Sequence, residues 1–541
     1  MNKKISNSTL ANILVKIFKK YKISNICISP GSRNAPLIKE FSSEKKFKLY
    51  SQIDERTSGF FGLGISKNIN YPSVIVTTSG TAVANLLPSV IEADLSMTPL
   101  IVLTADRPRK LVNTGENQTI LQNGIFNNFI RKELHIDSNI KSLKILNRRI
   151  NKTINSSLGV NKYNAPGPIH INIAFDEPLI DNKRNVKINI ELIKNKTKSK
   201  KILLPKFSRP LIVCGQLNSA KYFNKIIKLS EKLDAPILAD PVSNIRLWGK
   251  HKNITSYYNY FLKFLNQYPD IILRFGKKPT SKKLNQLIKK MNTKTYLFAE
   301  HKKYNDDAKN LININDSITN RNANSDWVNH VLNLNKKTEL FLNKNLNKLF
   351  SEGSIINTII KNLRNKDNLF VGNSMIVRNI ETYSPNLNKK INVHSNRGAS
   401  GIDGIIASSI GMSVLNKTKR NILILGDVSF FYDIGSLILN KNKVNLTIIV
   451  VNNEGGQIFK KLGYDNKINN FNDLLLTKTD IPVKEIARIC KSNYINLKSI
   501  HEINKKLNDI INMQGIQIIE IKCDFDKTIE FEKKINKELA I

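Results

Sequence analysis

Cysteine is scarce: four in 541 residues, at Cys27, Cys214, Cys490 and Cys523. They stand far apart, in or beside apolar runs, without metal-ligand or disulfide spacing, so neither a zinc module nor a disulfide framework is expected and a reducing cytoplasm is the expected compartment. Long apolar runs are missing too. None approaches the roughly 20 residues that a membrane helix needs, and the opening MNKKISNSTLANILVKIFKKYK lacks the apolar core and cleavage site of a secretory leader. With Leu10, Ile13, Leu14 and Ile17 at helical spacing, it reads as a first amphipathic helix. Acidic residues are few, 43 against 85 basic ones, for a formal charge of +42. A nucleic-acid surface calls for clustered basic residues interleaved with aromatics. Here they are spread among Asn and Ile along the whole chain, so no nucleic-acid partner is expected. Arginine is itself the rare cation, 17 of those 85. In so lysine-rich a chain, an Arg in a glycine-rich loop points to a need for the planar fork that grips carboxylates bidentately.

What is present is length and rhythm. At about 150 residues per domain the chain holds about three domains, read as 1–182, 183–345 and 346–541, with a polar, basic linker over 181–208. Apolar β-branched runs alternate with helical spacing throughout, the pattern of α/β domains with mostly parallel sheets. The most informative stretch is 422–459, ILILGDVSFFYDIGSLILNKNKVNLTIIVVNNEGGQIF. Its runs 422–425 and 446–451 read as buried parallel strands, and Ile434, Leu437 and Ile438 as the face of a crossover helix. A right-handed βαβ unit brings Asp427 and Asn453, 26 positions apart, to one carboxyl edge of the sheet. With a carbonyl from the Gly455-Gly456 pair, they make an oxygen set suited to a hard cation that keeps open positions for a diphosphate. An ordinary βαβ unit with Asp and Asn in its turns fits the same residues.

Other strand ends carry polar groups as well. Ser32 and Arg33 stand in a tight turn before a helix, and Glu55 follows a strand in Asp54-Glu55-Arg56, where a capping or salt-bridge role is equally natural. Arg107 lies at a strand end with Asn117 and Gln118 in the following loop, and Arg397 precedes a glycine-rich turn. The glycines of the middle region form no dinucleotide fingerprint, so bound NAD or FAD is not expected. Residues 305–345 read as a connection and a surface helix.

The Asp–Asn spacing resembles the metal motif of thiamine diphosphate enzymes. SPGSRNAPL, DERTSGFFGLG, TSGTAVANLLPSVIEA, LTADRP, GENQTI, GNSMIVR and SNRGASGIDG together closely resemble one family of them, the 2-succinyl-5-enolpyruvyl-6-hydroxy-3-cyclohexene-1-carboxylate synthases of menaquinone and phylloquinone synthesis. The resemblance implies decarboxylation of 2-oxoglutarate and addition of the succinyl carbanion to isochorismate. It implies thiamine diphosphate held through Mg2+ or Mn2+ by Asp427, Asn453 and Gly455, with Gly426, Ser429 and Gln457 beside them. It further implies Ile402 beneath the cofactor and Ile458, Phe459 and Leu462 as walls of its reactive ring. Glu55 is implied as the proton-transfer partner of the pyrimidine, with Arg33 and Arg397 also at the reacting groups. Ser374 and Arg378 are implied to hold the distal carboxylate of 2-oxoglutarate, and Ser32, Arg33, Arg107, Asn117, Gln118, Lys282 and Lys283 to line the substrate path. Two positions depart from the family pattern: Lys283 stands where an Arg is expected and Glu454 where an Asn is expected. Active sites are expected between subunits of a homodimer or larger homo-oligomer, so that Glu55 of one copy meets Asp427 of another.

Overall fold

The computed structural model describes residues 5–539 apart from 138–139, 141, 161–164, 183–185, 187–198, 218–219, 249–250, 302–305, 321–324 and 417. Most of the expected linker over 181–208 lies outside the described residues. Three six-stranded sheets, all of whose pairings are parallel, follow one another along the chain. Their central strands are fully buried Val/Ile/Leu runs, such as 422–425 and 446–451, as sheets covered by helices on both faces require.

The first sheet orders its strands Lys48–Ser51, Asn25–Ile28, Ser73–Thr77, Leu100–Asp106, Pro168–Ala174, Glu133–Ile136. The third repeats that order with Asn392–Ser395, Asn368–Val371, Asn421–Gly426, Leu446–Asn452, Ile516–Lys522, Asn493–Asn496. In both, the direction of winding reverses between the first and third strands of the sheet. Such a reversal opens a crevice beyond the carboxyl ends of the two strands, the place where open α/β sheets take ligands. The middle sheet runs outward in both directions from Pro210–Cys214 and Ile271–Phe275.

Two expectations change. The crossover between Asn421–Gly426 and Leu446–Asn452 is two short helices, Asp427–Tyr432 and Gly435–Ile438, rather than one. The break is at Asp433, whose carboxylate turns inward to accept the N–H of Ile406 at 2.8 Å and Ala407 at 3.0 Å and the hydroxyl of Ser436 at 2.7 Å. It thus satisfies the start of helix Ile405–Ser413 at the expense of its own. The second change is in 305–345, which is not merely a connection: Asn310–Asn313 is the edge strand of the middle sheet, and Ser317–Ile318 pairs with Lys201–Ile202. Nor is helix Ser325–Asn345 a surface helix only. Trp327, Val331 and Leu334 pack into the middle-sheet core, and the Trp327 indole donates to Pro210 O at 2.8 Å.

The first and third sheets touch through two helices, Glu55–Ile69 and Ile405–Ser413, whose side chains share one apolar core. Backbones meet there. A Cβ on Gly64 would lie 2.0 Å from Ser408 O, and one on Gly411 would lie 2.0 Å from Phe61 O, so only glycine allows the approach. Among the described residues no helix is long and apolar enough to cross a membrane.

Candidate active site

In the third sheet the winding reverses between Asn368–Val371 and Asn421–Gly426. Gly372-Asn373-Ser374 leave the first of these strands and Gly426-Asp427 the second; both enter one cavity of about 140 Å3. Asn453, Gly455, Gly456 and Gln457, from the next strand end, close a second side, while Ile402, Ile458 and Phe459 supply apolar walls. The sheet therefore brings together Asp427 and Asn453, as the spacing leads one to expect.

Asp427 is 6% exposed, and its Oδ2 accepts the N–H of Gly455 at 2.7 Å. Burial pushes its carboxyl up to about 6, against the backbone N–H groups that favour the charged form. Gly455 has φ +111°, and a Cβ there would strike Leu476 O at 2.4 Å. That conformation belongs to glycine and turns the loop back over the cavity. Gln457 braces the loop from the other side, its amide donating to Asn453 O at 2.9 Å. A carboxylate, an amide oxygen and a backbone carbonyl form a hard, all-oxygen donor set that fits Mg2+ or Mn2+. Ser429, 4% exposed, also borders this cavity. Leu462 does not: it is 54% exposed and outside the walls. Glu454 has φ +63° and pairs with Lys478 at 3.0 Å on the surface.

Ser374 opens helix Met375–Tyr383 in a left-handed conformation, φ +60°, rare for a residue with a Cβ. Its carbonyl accepts from Arg378 Nη1 at 2.5 Å, which holds the guanidinium back over the helix start. Arg397 reaches the same edge and donates to Asn373 Oδ1 at 3.1 Å. Among the described residues both guanidiniums have only neutral hydrogen-bond partners. Burial lowers the pKa of each, and for Arg378 the charge of Arg397 adds to it. Two cations at one edge favour an anion there, although the Asp240 and Glu92 carboxylates also act on Arg397.

The first sheet carries two arginines of its own, after Asn25–Ile28 and after Leu100–Asp106. Arg33 lies after Asn25–Ile28, pairs with Glu177 at 3.0 Å and donates to Phe175 O. Arg107, 9% exposed, donates to Ser79 Oγ and to Gln118 O. Burial, and then the charge of Arg33, lowers its pKa. Ser32, Asn117 and Gln118 are exposed at this rim. Glu55 follows the N-cap Asp54 of its helix and accepts from Asn85 Nδ2 at 3.1 Å. Next to it, Thr57 Oγ1 lies 3.1 Å from Ser436 Oγ, and the Arg56 guanidinium sits 5.5 Å from the centre of the Tyr432 ring. Glu55 does not border the Asp427 cavity of its own chain, and among the described residues no other residue of the first domain does.

In the middle domain, Ser281 caps helix Lys282–Lys290. Lys283 is tied to Asn259 O at 2.7 Å and Lys282 is exposed. Asn259 in turn donates to Glu381 and Thr382, one turn beyond Arg378. Sequence reasoning passed over Asn373, Met375 and Glu352, which also border the cavity. Asn373 could have been found from its place between Gly372 and Ser374 at a strand end; Glu352, after Ser351 at a helix start, carries no signal beyond capping.

Three family descriptions match in order: thiamine pyrophosphate enzyme, N-terminal TPP binding domain, over 8–127; middle domain of thiamine pyrophosphate, over 181–371; and thiamine pyrophosphate enzyme, C-terminal TPP binding domain, over 378–521. Curated proteins named 2-succinyl-5-enolpyruvyl-6-hydroxy-3-cyclohexene-1-carboxylate synthase are similar over nearly the whole length. The protein of Listeria innocua is 31% identical, covering 93% of this chain and 92% of its own. That of Oceanobacillus iheyensis is 30% identical over 97% and 96%, and that of Staphylococcus aureus strain MSSA476 32% over 89% of each. Matches of this extent make the chain a member of the 2-succinyl-5-enolpyruvyl-6-hydroxy-3-cyclohexene-1-carboxylate synthase family of thiamine diphosphate-dependent enzymes.

Proposed function

We propose that the protein decarboxylates 2-oxoglutarate and adds the resulting succinyl unit to isochorismate, forming 2-succinyl-5-enolpyruvyl-6-hydroxy-3-cyclohexene-1-carboxylate for quinone synthesis. The observation that carries this reading is the meeting, around one cavity, of the Asp427–Asn453–Gly455 oxygen set with Ser374 and, at its edge, the Arg378–Arg397 pair. The first could anchor a metal-bound diphosphate, the second a substrate carboxylate. Both substrates are dicarboxylates, which suits a site where scarce arginines come in pairs.

Asp427, Asn453 and the Gly455 carbonyl would hold Mg2+ or Mn2+ and, through it, the diphosphate. Bound thiamine diphosphate supplies the carbon nucleophile and electron sink that decarboxylation needs. Glu55 would be the group that gives and takes a proton beside the bound pyrimidine ring. Ile402, Ile458 and Phe459 would keep water from the reacting carbons, an apolar setting that disfavours a carboxylate. Ser374 and Arg378 bind the distal carboxylate of 2-oxoglutarate, and Arg397 faces the reacting end. Arg33, Arg107, Asn117, Gln118, Ser32 and Lys282 receive isochorismate, with a lesser part for Lys283, whose ammonium is engaged by Asn259. Since Glu55 lies away from the Asp427 cavity of its own chain, a second copy completes each site, and the active form is a homodimer or a larger assembly.

Arg378→Ala tests the substrate assignment. A charge-assisted hydrogen bond contributes about 1.5–3 kcal/mol, so KM for 2-oxoglutarate should rise about 10–100-fold while KM for isochorismate changes less than about threefold. Equal rises for both substrates in steady-state assays would place a different carboxylate beside Arg378.

A further inference from the structure

Glu352 has no part in the scheme above, yet among the described residues it is the one carboxylate besides Asp427 that borders the cavity. It opens helix Glu352–Asn362, is 1% exposed, and its backbone N–H donates to Thr528 Oγ1 at 3.2 Å. Its two oxygens face two different amides. Oε1 accepts from Asn453 Nδ2 at 2.6 Å, and Oε2 accepts from Asn379 Nδ2. Asn379 directly follows Arg378 on the helix that Ser374 opens.

The chemistry of these groups sets their orientation. A carboxylate offers only acceptors, so each amide must turn its NH2 toward Glu352 and its oxygen away. For Asn453, the oxygen turned away is the atom a cation would take. A side chain that merely filled this volume would more cheaply be neutral, because an enclosed carboxylate is costly to desolvate. Glutamine is no substitute: with one oxygen and one NH2 it can accept from only one of the two amides. We propose that Glu352 is a positioning residue, which aims the Asn453 amide oxygen at the cation and ties that ligand to the helix bearing Arg378. The inference rests on the reading of Asp427 and Asn453 as cation ligands.

The test is Mn2+ binding to the full chain with thiamine diphosphate, read as free Mn2+ by electron paramagnetic resonance. Glu352→Gln should weaken Mn2+ binding about tenfold, the size typical of losing a group that orients a metal ligand. Asn453→Asp sets carboxylate against carboxylate and should weaken it similarly. In the double variant the new amide can donate to the new carboxylate while its oxygen still accepts from Asn379. Its Mn2+ affinity should therefore return to within about threefold of the unaltered protein, whereas independent effects would multiply to about 100-fold. Multiplied losses, or unchanged Mn2+ affinity in Glu352→Gln, would overturn the proposal. If Glu352→Gln does not fold, the double variant decides: a folded, Mn2+-binding protein supports the pairing, and anything else refutes it. If the unaltered protein binds no Mn2+, or Asp427→Asn binds it undiminished, the cation site itself has been misread and the role of Glu352 falls with it.

Discussion

Glu55→Gln is expected to retain thiamine diphosphate and lose turnover by about 10²–10⁴-fold, the range that positioned proton transfer contributes. Glutamine keeps the volume and can still accept from Asn85, whose amide lies 3.1 Å from the native carboxylate. Asp54 remains to cap the helix through the N–H groups of Arg56 and Thr57, so the fold should be untouched. Only the exchangeable proton is removed. Cofactor binding is read by calorimetry and turnover by loss of isochorismate. Normal turnover in the variant would remove Glu55 from the chemistry. Mixing Glu55→Gln with Asp427→Asn, each inactive alone, should restore part of the activity if each site takes Glu55 from one copy and Asp427 from another. No recovery in subunits shown to have exchanged would contradict a shared site.

Lys67→Met is expected to cost about 3 kcal/mol of stability, because it leaves the buried Glu92 carboxylate without its hydrogen-bonded charge partner. Lys67 stands three turns along the Glu55 helix, and its Nζ lies 2.8 Å from Glu92, 3.0 Å from Ser395 O and 2.8 Å from Asn396 Oδ1. Both partners are nearly sealed from water, at 8% and 3% side-chain exposure. Glu92 then accepts the N–H groups of Gly398 and Ala399, at 2.9 and 2.7 Å, directly beside Arg397. An ion pair of the first domain thus holds the third-domain loop that carries a proposed substrate residue. Burial works to raise the Glu92 carboxyl, but Lys67, Lys277 and these N–H groups outweigh it and hold it below the ordinary value. A depressed carboxyl contributes stability that is complete above the ordinary carboxylate range and is lost as pH falls below that range through its own lower value. Urea unfolding near neutral pH should show the loss in Lys67→Met and a smaller one in Lys67→Met/Glu92→Gln, where both members of the hydrogen-bonded pair are neutralised. A loss under about 1 kcal/mol in the single variant would mean the pair is not buried as described.

Much of this architecture is legible in the sequence because buried parallel strands are conspicuous. The runs 422–425 and 446–451 can be little else, and once they pair, Asp427 and Asn453 must share an edge. The edge strand Asn310–Asn313 escapes such reading, since two asparagines around two apolar residues look like a connection. Asp433 hides for another reason. A single Asp in an apparently helical run gives no hint that it caps a different helix 27 positions earlier. Glu352 is hidden most completely, because its partners Asn453 and Asn379 are 101 and 27 positions away and meet it only after the sheet has formed. The arginines are legible as a set, through their scarcity, but their pairing into Arg33–Arg107 and Arg378–Arg397 depends on the order of the strands in each sheet. Leu462, the cap residue that ends helix Ile458–Lys461, is exposed in the isolated chain and stays outside the cavity walls.

The most direct test of the proposed reaction uses purified protein with Mg2+, thiamine diphosphate and 2-oxoglutarate, and follows CO2 release together with isochorismate consumption. The expected result is equal amounts of CO2 formed and isochorismate consumed, with neither seen unless both substrates are present. CO2 release that proceeds equally well without isochorismate, or isochorismate left unchanged in a protein that binds its cofactor, would contradict the account.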